Sequence, residues 1–240
     1  SDPTASEADG TVWYNTATTA LKYSIAGAGA WAAGNDLNQG RGDGGGAGTQ
    51  TAGIAIAGRY GTTWSGLTET YDGTSWTTSP ATLSTGRAHF APATAGTSTS
   101  TLAAGGETPG QTANSETWNG TAWTEGGNLP AADGANNGAG TVTAALSMGG
   151  VPSKTAVNGY DGTSWSTGAG DMNTARYNAG SMGTQTAAII FGRQPAITTT
   201  ESYNGSSWTA VNSLNVARDM GEGAGTQALG LAMGNYPNTT

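Results

Sequence analysis

Tryptophan recurs along this chain at a nearly constant interval. Trp31, Trp76, Trp123, Trp165 and Trp208 stand 45, 47, 42 and 43 residues apart, and a period of that size marks a chain assembled from copies of one small unit. Four of the five close a shared octet: Glu69-Thr-Tyr-Asp-Gly-Thr-Ser-Trp76, Glu116-Thr-Trp-Asn-Gly-Thr-Ala-Trp123, Asn158-Gly-Tyr-Asp-Gly-Thr-Ser-Trp165 and Glu201-Ser-Tyr-Asn-Gly-Ser-Ser-Trp208. The Asp-Gly and Asn-Gly pairs are hairpin signals, because a type I′ turn needs positive φ at both central residues. Each octet is expected to fold as strand, tight turn, strand.

The register continues after each Trp. Leu37, Leu83, Leu129, Met172 and Leu214 follow, and four residues further come Arg41, Arg87, Asp133, Arg176 and Arg218. A Gly-Thr pair then appears at Gly48, Gly96, Gly140, Gly183 and Gly225. An apolar run ends in the small doublets Ala57-Gly58, Gly105-Gly106, Gly149-Gly150, Gly192-Arg193 and Gly234-Asn235. A unit of about 45 residues, with strands too short to bury a face alone, is the size of a propeller blade. The expected fold is all-β: a five-bladed β-propeller with four antiparallel strands per blade. The last period stops at Thr240, before its own Tyr-turn-Trp hairpin, and Leu21-Lys22-Tyr23 followed by Trp31 supplies such a piece at the other end. The ring is therefore expected to close with N- and C-terminal strands in a shared blade, which hides the open edges. Residues 1–20 are expected as a lead-in β-hairpin and residues 21–240 as the propeller.

The order of signals (Arg, apolar strand, Gly-Gly, Tyr, Trp) resembles the kelch repeat family over Tyr23 to Thr240. The resemblance implies a propeller scaffold, with the doublet intact only at Gly105-Gly106 and Gly149-Gly150 and a Tyr-to-Trp gap shorter than the family's. The segment Asp9-Gly-Thr-Val-Trp-Tyr-Asn-Thr16, followed by Leu21-Lys-Tyr23, is similar to a short stretch common in phage tail and other virion structural proteins. That likeness implies a virion or extracellular setting. It also implies other virion proteins, or a host-surface glycan or protein, as partners, with a homo-oligomer within the particle as one form of assembly.

Composition excludes several classes. Gly supplies 41 of 240 residues and charged residues only 10%, but 8 Trp, 8 Tyr and runs such as Ala187-Ala188-Ile189-Ile190-Phe191 argue for packed strands over a disordered low-complexity chain. A net charge of −8 with eight basic residues opposes nucleic-acid binding and an anionic membrane surface. No apolar stretch reaches the ~18 residues of a membrane span. With no Cys and only His89, thiolate and multi-histidine metal sites are excluded, and no cofactor is expected. The start at Ser1, without Met, reads as a processed piece of something longer.

Candidate residues fall into two groups. Those at repeat positions have a structural reading. The five tryptophans are expected between blades, and Arg41, Arg87 and Arg176 are expected to pair with Glu69, Glu116 and Glu201, since the repeat that has Asp133 in place of Arg also has Asn158 in place of Glu. The competing reading is a cationic ring for an anionic ligand. Arg41-Gly42-Asp43 spells an adhesion tripeptide by accident of the repeat Arg. Residues that break the repeat are the ligand candidates: Arg59, Tyr60 and Trp64 in the longest insert (Arg59 to Leu67), then His89 with Phe90, Asp133, Tyr177 and Tyr236. Arg218 joins them because its repeat supplies no Glu and Lys22 would face it. No carboxylate pair, triad or phosphate loop carries catalytic chemistry. The expected function is a non-catalytic virion-associated module for host recognition or assembly. A secreted lectin-like module is the alternative, and a glycan-degrading propeller enzyme a weaker one.

Overall fold

The computed structural model describes residues 33–234, together with the backbone of two strands nearer the N-terminus, Val12–Asn15 (β1) and Ala20–Tyr23 (β2). It divides into two compact units, Ser1–Gly34 and Asn35–Thr240. In the first, β1 and β2 form an antiparallel hairpin with Val12 opposite Tyr23 and Asn15 opposite Ala20.

The second unit is all-β and repeats one design. The first sheet holds β3 (Gly45–Thr49), β4 (Ala52–Tyr60), β5 (Thr63–Tyr71) and β6 (Trp76–Thr78). The second holds β7 (Ala91–Pro92), β8 (Thr101–Ala104), β9 (Ser115–Trp118) and β10 (Trp123–Glu125). The third is β11 (Asn137–Thr141), β12 (Ala144–Met148), β13 (Val157–Tyr160) and β14 (Trp165–Thr167). The fourth is β15 (Gly180–Thr184), β16 (Ala187–Phe191), β17 (Thr200–Tyr203) and β18 (Trp208–Val211). A fifth, two-stranded sheet consists of β19 (Glu222–Gly225) and β20 (Gly230–Met233). Every pairing is antiparallel between neighbours in sequence, and the first strands β3, β7, β11, β15 and β19 pack side by side in chain order. Antiparallel four-stranded sheets repeated in this way are compatible with propeller blades.

Local chemistry fixes the turns. At Gly140 φ is 100°, and an added Cβ would lie 2.2 Å from the Ala144 carbonyl oxygen across the hairpin. Only glycine closes that turn. The octet turns differ from the expected two-residue type I′. Tyr160 faces Trp165 across four residues, and only Gly162 has positive φ. Asp161 stays in ordinary backbone space, and its Oδ1 accepts from the amides of Thr163 and Ser164, both at 2.8 Å. The side chain thus supplies the turn's hydrogen bonds. Asp72, Asn119 and Asn204 repeat the arrangement.

The core lies between sheets rather than within them. One cluster joins Ile54 and Ile56 of the first sheet to Leu83, Phe90, Ala103 and Trp118. A second joins Leu102 and Ala104 to Leu129, Ala145, Tyr160 and Trp165. The third joins Leu146, Met148 and Val157 to Met172, Ile190, Tyr203 and Trp208. The repeat tryptophans behave as packing residues. Trp76, Trp123, Trp165 and Trp208 each pack against the aromatic residue that opens the turn, with centroids 4.9 to 5.4 Å apart. Trp123 and Trp165 also donate their indole N–H to the preceding sheet, at Thr68 Oγ1 (2.8 Å) and Ser115 Oγ (3.2 Å). Indole area and one directed donor lock the second sheet to the first and the third to the second. Trp31, and with it the strand expected to complete the fifth blade, lies outside the described residues.

Candidate functional site

The arginines of the repeat are structural. Arg176 meets Glu201 at 2.9 Å and Arg87 meets Glu116 at 3.0 Å, with these four side chains at most 3% exposed. Arg41 pairs with Glu69 in the same way. Each carboxylate also gathers the turn that follows the repeat Leu or Met. Glu201 accepts from the Asn173 amide (2.7 Å), Asn173 Nδ2 (2.9 Å) and the Thr174 amide (3.0 Å). Burial pushes the Glu201 carboxyl up, but Arg176 and the Asn173 donors outweigh it and hold the group below the usual carboxylate range. Guanidinium groups committed in this way do not form a cationic ring for a ligand.

Two further candidates belong to the interior. Phe90 is 4% exposed and packs in the first inter-sheet cluster. Asp133, at the repeat Arg position, is buried and takes the Lys154 ammonium at 2.9 Å, with the Gly134 and Val151 amides at 3.0 and 3.2 Å. Burial dominates, and its carboxyl sits above the usual range.

The insert becomes a long hairpin. β4 and β5 each run nine residues, where the equivalent strands elsewhere run four or five. A register shift between Ile56 and Gly58, with Ala57 at φ 53°, marks a β-bulge where the extension begins. The extension pairs Arg59 with Trp64 and Tyr60 with Thr63 around Gly61-Thr62. The Arg59 guanidinium lies 5.3 Å from the Trp64 ring centroid, a cation–π contact on a half-buried indole. Tyr60, at the tip, is 61% exposed.

Arg59 also reaches inward. Its Nε and Nη2 donate to Asp43 Oδ2 at 2.9 and 2.7 Å. Asp43 Oδ1 lies 3.4 Å from His89 Nε2, and His89 Nδ1 lies 3.3 Å from Glu107 Oε2. Trp64, Arg59 and His89, predicted from separate departures from the repeat, thus belong to one continuous line of contacts, with Tyr60 at its outer end. Sequence reasoning missed Asp43 and Glu107 as members. The signal for Asp43 was present: Asp43 and His89 both stand two residues after the repeat Arg, so adjacent repeats set them side by side. Arg218 is not part of this line. It donates to the Gly234 carbonyl, and its backbone bridges Ile197. Tyr177 is half-buried and its carbonyl accepts from the Gln194 amide. Tyr236 and the side chain of Lys22 lie outside the described residues.

The inner end opens on a cavity of about 180 Å³ lined from all five repeats, among them Asp43, His89, Asn136, Asn178, Ser181 and Glu222. Around it Asp43, His89, Ala135, Asn178 and Met220 all have left-handed backbones, with φ between 50° and 59°. Their main chains are joined in series: the amides of His89, Ala135, Asn178 and Met220 donate to the carbonyls of Asp43, His89, Ala135 and Asn178 at 2.8 to 3.0 Å. Glu222 lines the cavity, and loss of solvation raises its carboxyl to about 7. Among the described residues no group of three His, Cys, Asp or Glu side chains is placed to hold a metal ion. What the arrangement offers is recognition: an exposed phenol, an indole face and an Arg fork held by a carboxylate. Compared with known protein families and with curated proteins, the chain matches none.

Proposed function

We propose that this chain is a non-catalytic binding module, a five-bladed kelch-like propeller carried on a virus particle for host-surface recognition or assembly. In this reading the N-terminal Leu21–Tyr23 segment completes the fifth blade beside β20 and closes the ring. Few charges, no Cys and turn-rich strands suit an exposed particle surface. The observation that carries the reading is the β4–β5 hairpin. The second, third and fourth sheets keep their second and third strands short, while this pair continues and sets out Tyr60, Arg59 and Trp64 together. A flat aromatic face with an Arg fork beside it fits a sugar ring bearing an acidic group, or a protein hot spot.

Alanine at Trp64 or Tyr60 tests it. Adhesion to host-cell surfaces, or incorporation into particles, should fall at least tenfold while the melting temperature stays within about 1–2 °C of the parent, because surface changes away from the core cost little. Full binding by both variants would overturn the assignment of the hairpin as the contact surface.

A further inference from the structure

The polar side chains that line the cavity have their hydrogen-bond donors committed to the protein. Three asparagines stand on its wall. Asn136 Nδ2 donates to Ser147 Oγ (2.8 Å) and the Ala104 carbonyl (3.3 Å), and Asn137 Nδ2 to the Met148 carbonyl (3.4 Å). Asn178 Nδ2 donates to Gln194 Oε1 at 3.1 Å. The Ser181 and Thr94 hydroxyls both donate to the Gly138 carbonyl, at 2.8 and 3.5 Å. His89 turns its two ring nitrogens to the carboxylates of Asp43 and Glu107. In the left-handed series, the amides of His89, Ala135, Asn178 and Met220 are taken by one another's neighbours. Neither Lys nor Arg lines the cavity among the described residues.

Acceptors are what remains. An amide that donates through nitrogen keeps its oxygen, and a hydroxyl that donates keeps its lone pairs. Asn136 is 4% exposed, and its Oδ1, on the opposite branch of the amide from the bonded nitrogen, accepts no hydrogen bond. A buried amide oxygen without a donor costs free energy that an incoming N–H would recover. Glu222, on β19, adds a carboxylate with no hydrogen bond or ion pair among the described residues. Asp43 differs, because Arg59 already donates twice to its Oδ2.

We infer that this cavity is a binding site for a primary ammonium group carried on a short apolar body. Three N–H donors and no acceptor match one carboxylate, that of Glu222, together with neutral oxygens such as Asn136 Oδ1. Phe90, Ala179 and Met220 give the body an apolar wall. The volume, about 180 Å³, suits a molecule of about six or seven non-hydrogen atoms, since a cavity of ~150 Å³ holds benzene. A metal ion fits less well: no three His, Cys, Asp or Glu side chains are placed to hold one among the described residues, and Arg59 neutralises Asp43. The raised Glu222 carboxyl agrees with this reading, because it lacks the neighbouring cation that would bring it down. The site is separate from the exposed hairpin tip and does not depend on the role given to that tip.

Butylammonium, 1-butanol and butyrate share nearly one shape and differ in the polar end. Each is titrated into the full chain at pH 8, with backbone amide NMR as the readout. Butylammonium should move the Asn136, Asn178 and Glu222 resonances and saturate with a Kd on the order of 1 mM, while the other two leave them in place. No response to butylammonium, or an equal response to 1-butanol or butyrate, would overturn the proposal. The same shifts from potassium chloride at matched concentration would overturn the ammonium in favour of a bare cation. Glu222→Gln keeps the shape of the wall and should weaken butylammonium at least about tenfold; an affinity within about twofold of the parent would overturn Glu222 as the anchor. The parent supplies a second check, because binding should weaken about tenfold from pH 8 to pH 6 as Glu222 takes up a proton and the amine stays charged. The strands packed against β19, which are β15 and β20, carry no titratable side chain. Asp43 and His89 are the other titratable groups on the wall, and Arg218 and Asp219 precede β19 in the chain. Equal affinity at the two pH values would also overturn the anchor.

Discussion

The third and fourth sheets solve one problem with opposite charges. In the fourth, Arg176 comes from the segment before the sheet and Glu201 from the sheet itself, both fully buried, with the carboxylate held below its usual range. In the third, the acid is on the segment, Asp133, and the base is Lys154 from the loop after β12, 31% exposed at its side chain, while burial raises the carboxyl. The position thus demands a compensated charge tying one segment to the next sheet, and neither the sign nor the residue is prescribed. The two solutions differ in quality. The Arg–Glu pair is saturated with donors and rigid; the Asp–Lys pair leaves its base half in water.

The sharpest way to break the comparison is Arg176→Ala. It strands Glu201 in the interior and should cost about 3–5 kcal/mol in chemical denaturation. A loss below 1 kcal/mol would mean that the Asn173 and Thr174 donors suffice. Lys154→Ala should cost less, about 1–2 kcal/mol, because Asp133 can take up a proton and keeps its two backbone donors. The smallest effect carries the opposite sign. A carboxyl raised on folding favours the folded state in its protonated form, so its ionisation reduces stability as pH climbs from its ordinary 3.8 toward the raised value. Asp133→Asn should therefore gain up to about 1 kcal/mol at pH 7, and the gain should vanish as pH falls below 3.8. The depressed Glu201 behaves in reverse: its contribution is present above its ordinary 4.5 and is lost as pH falls through the lowered value. Parallel pH profiles for Asp133→Asn and Glu201→Gln would erase the distinction drawn here.

Much of this architecture was legible because repetition makes a sequence its own alignment. The joint replacement of Arg by Asp133 and of Glu by Asn158 exposed the pairing before any coordinates. It did not reveal Lys154, since its counterparts in the neighbouring repeats, Thr112 and Ile197, carry no charge. The turn type was misjudged because the propensity of Asp-Gly for type I′ competes with the ability of the Asp side chain to cap two amides, and the longer loop won. Phe90 looked like a departure from the repeat and so like a binding residue. An apolar ring next to a left-handed residue turns inward, and periodicity carries no information about that direction. Gln185 and Gln227, whose side-chain amides each donate to two carbonyls of the preceding sheet, were in plain view, but a polar residue in a turn has no chemical signature until its acceptors are seen.

The series of left-handed residues around the cavity has a consequence for variation. Asp43, His89, Ala135, Asn178 and Met220 are joined through amides and carbonyls, so the framework of the mouth is written in main chain, and its left-handed backbone disfavours β-branched residues while admitting side chains of very different chemistry. An acid, an imidazole, a methyl, an amide and a thioether already share one backbone shape. The mouth is in effect a five-position cassette: residues can be exchanged one at a time, and the character of the opening rewritten, while the scaffold that presents them stays unchanged.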